Sequence, residues 1–316
     1  MEDAMYTAIP LTVLATALAC SLATTPAHAR ARVFVASYGS DSNPCTFGSP
    51  CRNFQQAVTV VDPGGEITAI DSAGFGPISI NKALTITSPN GIEAGIVPPT
   101  GGTAITINAG VSDAIFLRGL TIDGGGIGAT GIQFNTGQSL TIDNCVIRNF
   151  VGQYPAGTAL NFVPTAFTKV GVAQLSISNS VLSNNASYGA VIKSGPENTN
   201  AVASHAQLNN NQWGLAAIGG GTFAIVAVYD SVVAQNTDVG LYADREGLVR
   251  IFHSLVADNG DGVQALLNGR ILLAESMVAG SNVLFDQETG GRVSSFGDNY
   301  FYSGSSIGQL DTYPKY

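Results

Sequence analysis

Seven short segments of this chain recur at a nearly constant spacing, and that spacing constrains the fold more than any other feature of the sequence. LTID ends at Asp123, CVIRN at Asn149, VLSNN at Asn185 and AQLNN at Asn210. VVAQN then ends at Asn236, LVADN at Asn259 and MVAGS at Ser281. Five of the six intervals lie between 22 and 26 residues, and the sixth, of 36, absorbs one insertion placed around Val163–Gly171. A glycine follows the polar position in four successive repeats, at Gly189, Gly214, Gly240 and Gly262. Each glycine opens a short apolar run, such as Ala190-Val191-Ile192 or Leu215-Ala216-Ala217-Ile218.

No segment within the repeats is long or helically periodic enough to serve as a crossover helix, so a βαβ sheet is not expected. Strands of three to five residues cannot bury a face alone. Stacked coils solve this, because each strand pairs with its equivalents above and below. The expectation is an all-β parallel solenoid of about nine coils, at roughly 4.8 Å per coil. The recurrent Asn is assigned to a structural turn, where left-handed backbone is tolerated and an amide can bond the neighbouring turn. Residues 54–61 (FQQAVTVV) read as a short amphipathic helix that caps one open end of the solenoid. The tail holds Phe296, Tyr300, Phe301, Tyr302, Tyr313 and Tyr316, and reads as an aromatic plug at the other end. The domain organisation expected is a loop with capping helix over 30–65, a parallel β-helix over 66–295 and an aromatic cap over 296–316.

Composition agrees with such a fold. Charged residues make up 11% of the chain and glycines number 38, a balance suited to strands joined by tight turns. The net charge of −9 and the lack of any basic run argue against a nucleic-acid partner. A polyanionic glycan would need a local basic site or a bound cation. At the N-terminus, Ile9–Ala23 is apolar but shorter than the ~20 residues of a membrane span. It is followed by Ala27-His28-Ala29, a small-x-small pattern. Residues 1–29 therefore read as a signal peptide cleaved after Ala29, with no transmembrane segment remaining and a secreted or periplasmic destination. The pattern departs from the usual one in carrying Glu2 and Asp3 and no Lys or Arg before the apolar run. Cys20 would leave with the signal. Cys45 and Cys51 flank a Pro/Gly-rich loop and are either a small disulfide or two reduced thiols. Cys145 lies in an apolar strand and reads as a small buried hydrophobe.

SYGSDSNPC at 37–45, PCRNFQQAV at 50–58, GGEITAID at 64–71 and SINKALTI at 79–86 resemble the N-terminal part of bacterial right-handed parallel β-helix proteins of the pectate-lyase-like superfamily. Lys82 with Leu84-Thr85-Ile86 matches the first-coil segment of that group. The resemblance implies a single-stranded right-handed parallel β-helix with an N-terminal capping helix. It is unspecific for activity, because such folds carry lyases, hydrolases, esterases, epimerases and proteins without chemistry.

Complete catalytic motifs are missing. Asn236-Thr237-Asp238 spells the NTD of polygalacturonases, but the chain has no DD pair, no GHG and no RxK to accompany it, and inverting hydrolysis needs two carboxylates across the bond. The segments typical of pectin esterases and alginate epimerases are also missing. His205 and His253 fall beside ladder strands and read as surface residues. GGGIG at 124–128 precedes no helix and reads as a coil turn. Lyase chemistry needs carboxylates around Ca²⁺ and an Arg or Lys base beside the uronate. The strands after the turn glycines offer Lys193 and Arg245 as bases and Asp244 with Glu246 as cation ligands, with Asp258 and Asp261 in the next turn; ordinary solvated charge at strand ends explains the same residues. Tyr188 and Trp213 occupy one place on neighbouring coils, with Tyr242 on the next. They form either a platform for the apolar faces of sugar rings or a stack closing the turn against the core. The functional expectation is an exported protein that binds or processes polysaccharide, acidic glycans foremost, with Ca²⁺ the cofactor considered. Its alternative is a non-catalytic, surface-presenting scaffold.

Overall fold

In the computed structural model, residues 30–313 other than 167 and 169 are described; the signal-peptide reading falls outside them. The chain winds as a parallel solenoid of about nine coils, each contributing to three sheets. Sheet I has twelve strands, from Arg32–Val35 to Asp311–Thr312; sheet II has ten, from Ala73–Gly74 to Tyr300–Tyr302; sheet III has ten, from Ile78–Ile80 to Ser305–Ile307. Each turn of the chain visits I, then II, then III, as in Val172–Ser178, Val181–Ser183 and Tyr188–Lys193.

The sequence supports this winding by repeating apolar residues in register. On sheet I, Leu140, Leu175, Ala201, Val226, Val249, Ile271 and Val293 lie opposite one another and point into the core. Ile147, Leu182, Leu208, Val233 and Val256 do the same on sheet II. Leu160, Ala190, Leu215, Leu241 and Val263 do so on sheet III. All are buried, and burying each Leu or Ile contributes about 1.5–3 kcal/mol. The glycine column has a steric cause. A Cβ on Gly189, Gly214 or Gly240 would lie 2.6, 2.4 or 2.6 Å from the carbonyl oxygen of the glycine on the next coil.

The polar column differs from the sequence expectation in register. Two adjacent columns run between sheets II and III. The left-handed residue is Asn149, Asn184, Asn210, Gln235 or Asp258. The residue after it points inward, and at Asn185, Asn211, Asn236 and Asn259 it is buried. Each of these amides bonds its equivalent on the next coil: Asn211 N–H to Asn236 Oδ1 at 3.1 Å, Asn236 N–H to Asn259 Oδ1 at 3.0 Å. The run Asn209-Asn210-Asn211 hides this shift, so the segment ending at Asn210 is one residue short. A second ladder lies between sheets I and II, where the backbone N–H groups of Cys145, Ala206, Ser231 and Ser254 donate to the hydroxyls of Ser180, Ser231, Ser254 and Ser276 on the following coil.

Further differences concern where elements begin, end and are joined. The solenoid begins earlier than 66, because Arg32–Val35 pairs with Gly65–Ala69. Helix α1 spans Phe54–Val60 and buries Phe54, Ala57 and Val58 against the first coils. The tail after 295 continues the winding rather than plugging it. Tyr300 and Tyr302 are exposed, while Phe301 packs on the core. The long repeat splits its extra residues between two connections, 149–157 and 163–171.

Candidate functional site

The aromatic residues selected from sequence, with Lys193, gather on the outer surface of sheet III. Tyr188 pairs with Trp213 across adjacent strands, and Tyr242 lies one coil further on, opposite Ala216. The ring centroids of Tyr188 and Trp213 are 5.4 Å apart, and those of Trp213 and Tyr242 are 5.0 Å apart, the latter edge to face. The 149–157 connection adds Tyr154, edge-on to Tyr188 at 5.4 Å. Lys193 places Nζ 4.8 Å from the centre of the Tyr154 ring. Val191 and Ala216 point outward yet are fully buried, because this aromatic layer covers them. Tyr154 and the covered floor were not selected from sequence; only the length of the insertion hinted at the former.

Carboxylates continue the row along the solenoid. Asp261 shares the column of Trp213 two coils on, and Asp286 shares that of Tyr242 two coils on. Gln264 Nε2 bridges them, donating to Asp286 Oδ2 at 2.7 Å and to Asp261 Oδ2 at 3.4 Å. Asp286 Oδ1 is buried without a hydrogen-bond partner among the described residues. Partial burial, then the charges of Asp286, Asp238 and Glu288, raise the Asp261 carboxyl above its ordinary value. Burial first, with the neighbouring Tyr154, Asp238 and Asp244, pushes the Tyr188 phenol up to about 12. Burial and then Asp244 do the same to Tyr242.

The bases and cation ligands considered from sequence are placed apart. Lys193, Ile218 and Asp244 are successive partners, so Lys193 and Asp244 stand two coils apart, about 9–10 Å. Arg245 donates from Nη1 to Asp244 Oδ2 at 2.9 Å. Glu246 turns toward the preceding coil and accepts from the Gly221 N–H at 3.4 Å. Among the described residues no three His, Cys, Asp or Glu side chains group closely, and Asp244 and Glu246 face different partners, Arg245 and the Gly221 N–H. Asp258 occupies the left-handed turn before Asn259. His205 and His253 stand in the left-handed column between sheets I and II, away from sheet III, and His253 pairs with Glu275. Asn236 of the NTD triplet is a buried ladder amide.

No protein-family model matches the sequence, and no curated protein matches it. Solved structures do resemble it. Pectate lyase Pel9A superposes with a TM-score of 0.66 at 16% identity, over 89% of this chain and 78% of that one. An alginate lyase from Paenibacillus sp. str. FPU-7 gives 0.65 at 14% identity, over 89% of this chain and 99% of that one. A GH136 lacto-N-biosidase from Eubacterium ramulus gives 0.50 at 11% identity, over 90% and 68%. At such identities the likeness is one of fold. With three parallel sheets, a buried asparagine ladder and these neighbours, the chain has a right-handed parallel β-helix fold like that of the pectate lyase and the alginate lyase.

Proposed function

We propose that this chain is an exported polysaccharide-binding solenoid whose binding face is sheet III, with acidic glycans its preferred class. The observation that carries the reading is the continuous aromatic layer of Tyr154, Tyr188, Trp213 and Tyr242. These rings, Tyr154 exposed and the other three half-buried, offer flat surface to the C–H faces of sugars, and Lys193 at one end supplies a cation for a carboxylate. Asp261 beyond them is partly exposed and can accept hydrogen bonds from sugar hydroxyls. Lys193 sits on an aromatic face beside the row, where its cation can meet an anion, while Arg245 is already held by Asp244. Binding is therefore the favoured role, and cleavage of the bound chain a secondary one.

The test is a binding screen of purified residues 30–316 against acidic and neutral polysaccharides, with and without Ca²⁺. Binding that falls at least tenfold in Tyr188→Ala/Trp213→Ala supports the sheet III face. A blank screen would replace this reading with that of a presenting scaffold.

A further inference from the structure

Two rows of opposite charge run along the same three coils, and neither is neutralised within the chain. Arg250, Arg270 and Arg292 stand on consecutive strands of sheet I. Arg270 lies directly opposite Arg292, and Arg250 one coil earlier in the neighbouring outward column, opposite Leu272. All three are exposed, and their guanidinium groups have no hydrogen-bond or ion-pair partner among the described residues. Arg32, Arg118, Arg148 and Arg245, by contrast, each pair with a carboxylate. Like charges directly opposite one another destabilise a sheet, so the row opposes folding as it stands.

The acidic row lies on the sheet III side. Asp238 precedes Val239, whose partner on the next coil is Asp261, and Glu288 follows the strand Val283–Gln287 on the coil after that. Asp238 and Asp261 are partly exposed and Glu288 is exposed, and none has a lysine or arginine partner among the described residues. Asp286, buried with Oδ1 unpartnered, adds a further carboxylate behind them. Partial burial and then the charges of Asp286, Asp238 and Glu288 raise the Asp261 carboxyl, so this row is also under repulsion.

Each acid shares a coil with one arginine: Asp238 with Arg250, Asp261 with Arg270, and Glu288 with Arg292. Both rows therefore climb the solenoid axis with the same step, about 4.8 Å per coil. We infer that the sheet I face of one copy of this chain docks on the sheet III side of a second copy, with Arg250, Arg270 and Arg292 meeting Asp238, Asp261 and Glu288. A two-fold contact of either row with itself would set like charges together, whereas a heterologous contact neutralises both, and it closes into a ring or continues as a lateral array. The ion pairs fix the register. Apolar surface to bury is supplied by Leu248 and Leu272, which line a groove of about 290 Å³ along the arginines, and by Tyr229 and Phe252, stacked at 5.2 Å on the same sheet. The inference uses neither Tyr188 nor Trp213 and is independent of the glycan reading.

The experiment is sedimentation velocity of residues 30–316 without glycan. The inference expects species heavier than the monomer at about 100 μM protein and about 50 mM salt, dissociating by about 500 mM salt as exposed charges are screened. Arg270→Gln/Arg292→Gln should weaken association about tenfold or more. Arg270→Glu/Arg292→Glu and Asp238→Arg/Asp261→Arg should each be monomeric alone, and an equimolar mixture of the two should associate again. Melting curves establish that each variant is folded. Glycan binding by the monomeric Arg270→Gln/Arg292→Gln protein reads the sheet III proposal separately, so the failure of one leaves the other standing. Three results would overturn the inference: a monomer at every concentration in low salt, association that neither salt nor the glutamine pair weakens, or folded charge-reversed variants that stay apart when mixed.

Discussion

Lys193 Nζ lies 4.8 Å from the centre of the Tyr154 ring, although the two residues come from different coils. The contact exists because the inserted 149–157 connection folds back over sheet III and brings an aromatic face to a strand-end cation. Cation–π contacts of this exposed kind contribute about 0.5–1 kcal/mol. Tyr154→Ala should therefore weaken acidic-glycan binding about three- to fivefold through loss of ring surface and of a fixed position for Lys193. Lys193→Gln should lower affinity for uronate chains while leaving that for neutral chains nearly unchanged. Titration calorimetry on both ligand types separates the two effects.

The two polar columns between sheets II and III predict unequal costs for neighbouring substitutions. The buried Asn236 amide donates to Leu208 O at 2.9 Å and to Asn259 Oδ1 at 2.8 Å, and its Oδ1 accepts from the Asn211 backbone. Asn236→Ala leaves buried backbone groups unpaired and should destabilise the protein by about 2–4 kcal/mol. Asn210 holds only a left-handed turn, so Asn210→Ala should cost about 1 kcal/mol and Asn210→Gly less. Chemical-denaturation midpoints of the variants measure the difference. Equal costs at the two positions would contradict the ladder register.

That register also marks what the sequence makes legible. The repeat period, the glycine column and the outward aromatics at Tyr188, Trp213 and Tyr242 all come from short-range patterns that stacking preserves. The inward asparagine could not be told from its left-handed neighbour where Asn209, Asn210 and Asn211 are consecutive, because both positions favour the same residue. The serine ladder was missed because Ser180, Ser231, Ser254 and Ser276 differ from ordinary turn serines only in pointing inward. Asp261 and Asp286 join Trp213 and Tyr242 through register alone, across two coils.

Asp261 gives stability a pH dependence whose sign follows from its surroundings. Burial and the charges of Asp286, Asp238 and Glu288 raise its carboxyl in the folded state. The folded protein then holds this proton more tightly than the unfolded chain, so the stabilising contribution is present at acid pH and is lost as pH rises through the raised value. Asp123 and Asp143 act in the opposite sense. Hydrogen bonds and arginine neighbours outweigh burial there and lower both carboxyls, so their contribution is present above the ordinary carboxylate range and is lost on acidification. Asp261→Asn should raise the melting temperature at pH 7, and the gain should shrink toward pH 4. A gain independent of pH would show that repulsion among these carboxylates is not its source.

The cysteines allow a test that needs no substitution. Cys45 and Cys51 are bonded to each other with Cα atoms 4.6 Å apart, and Cys145 is a buried thiol. Burial comes first among the causes that push the Cys145 thiol up to about 12. Since the thiolate is the reactive form, the folded protein of residues 30–316 should not react with a disulfide reagent at pH 8. In denaturant without reductant one thiol per chain should react, and after reduction three. Closing a loop of six residues stabilises a domain by about 2 kcal/mol in the chain-entropy picture, so mild reduction should lower the melting temperature by a few degrees without unwinding the solenoid. Three reactive thiols in unreduced, unfolded protein would show that Cys45 and Cys51 are not joined.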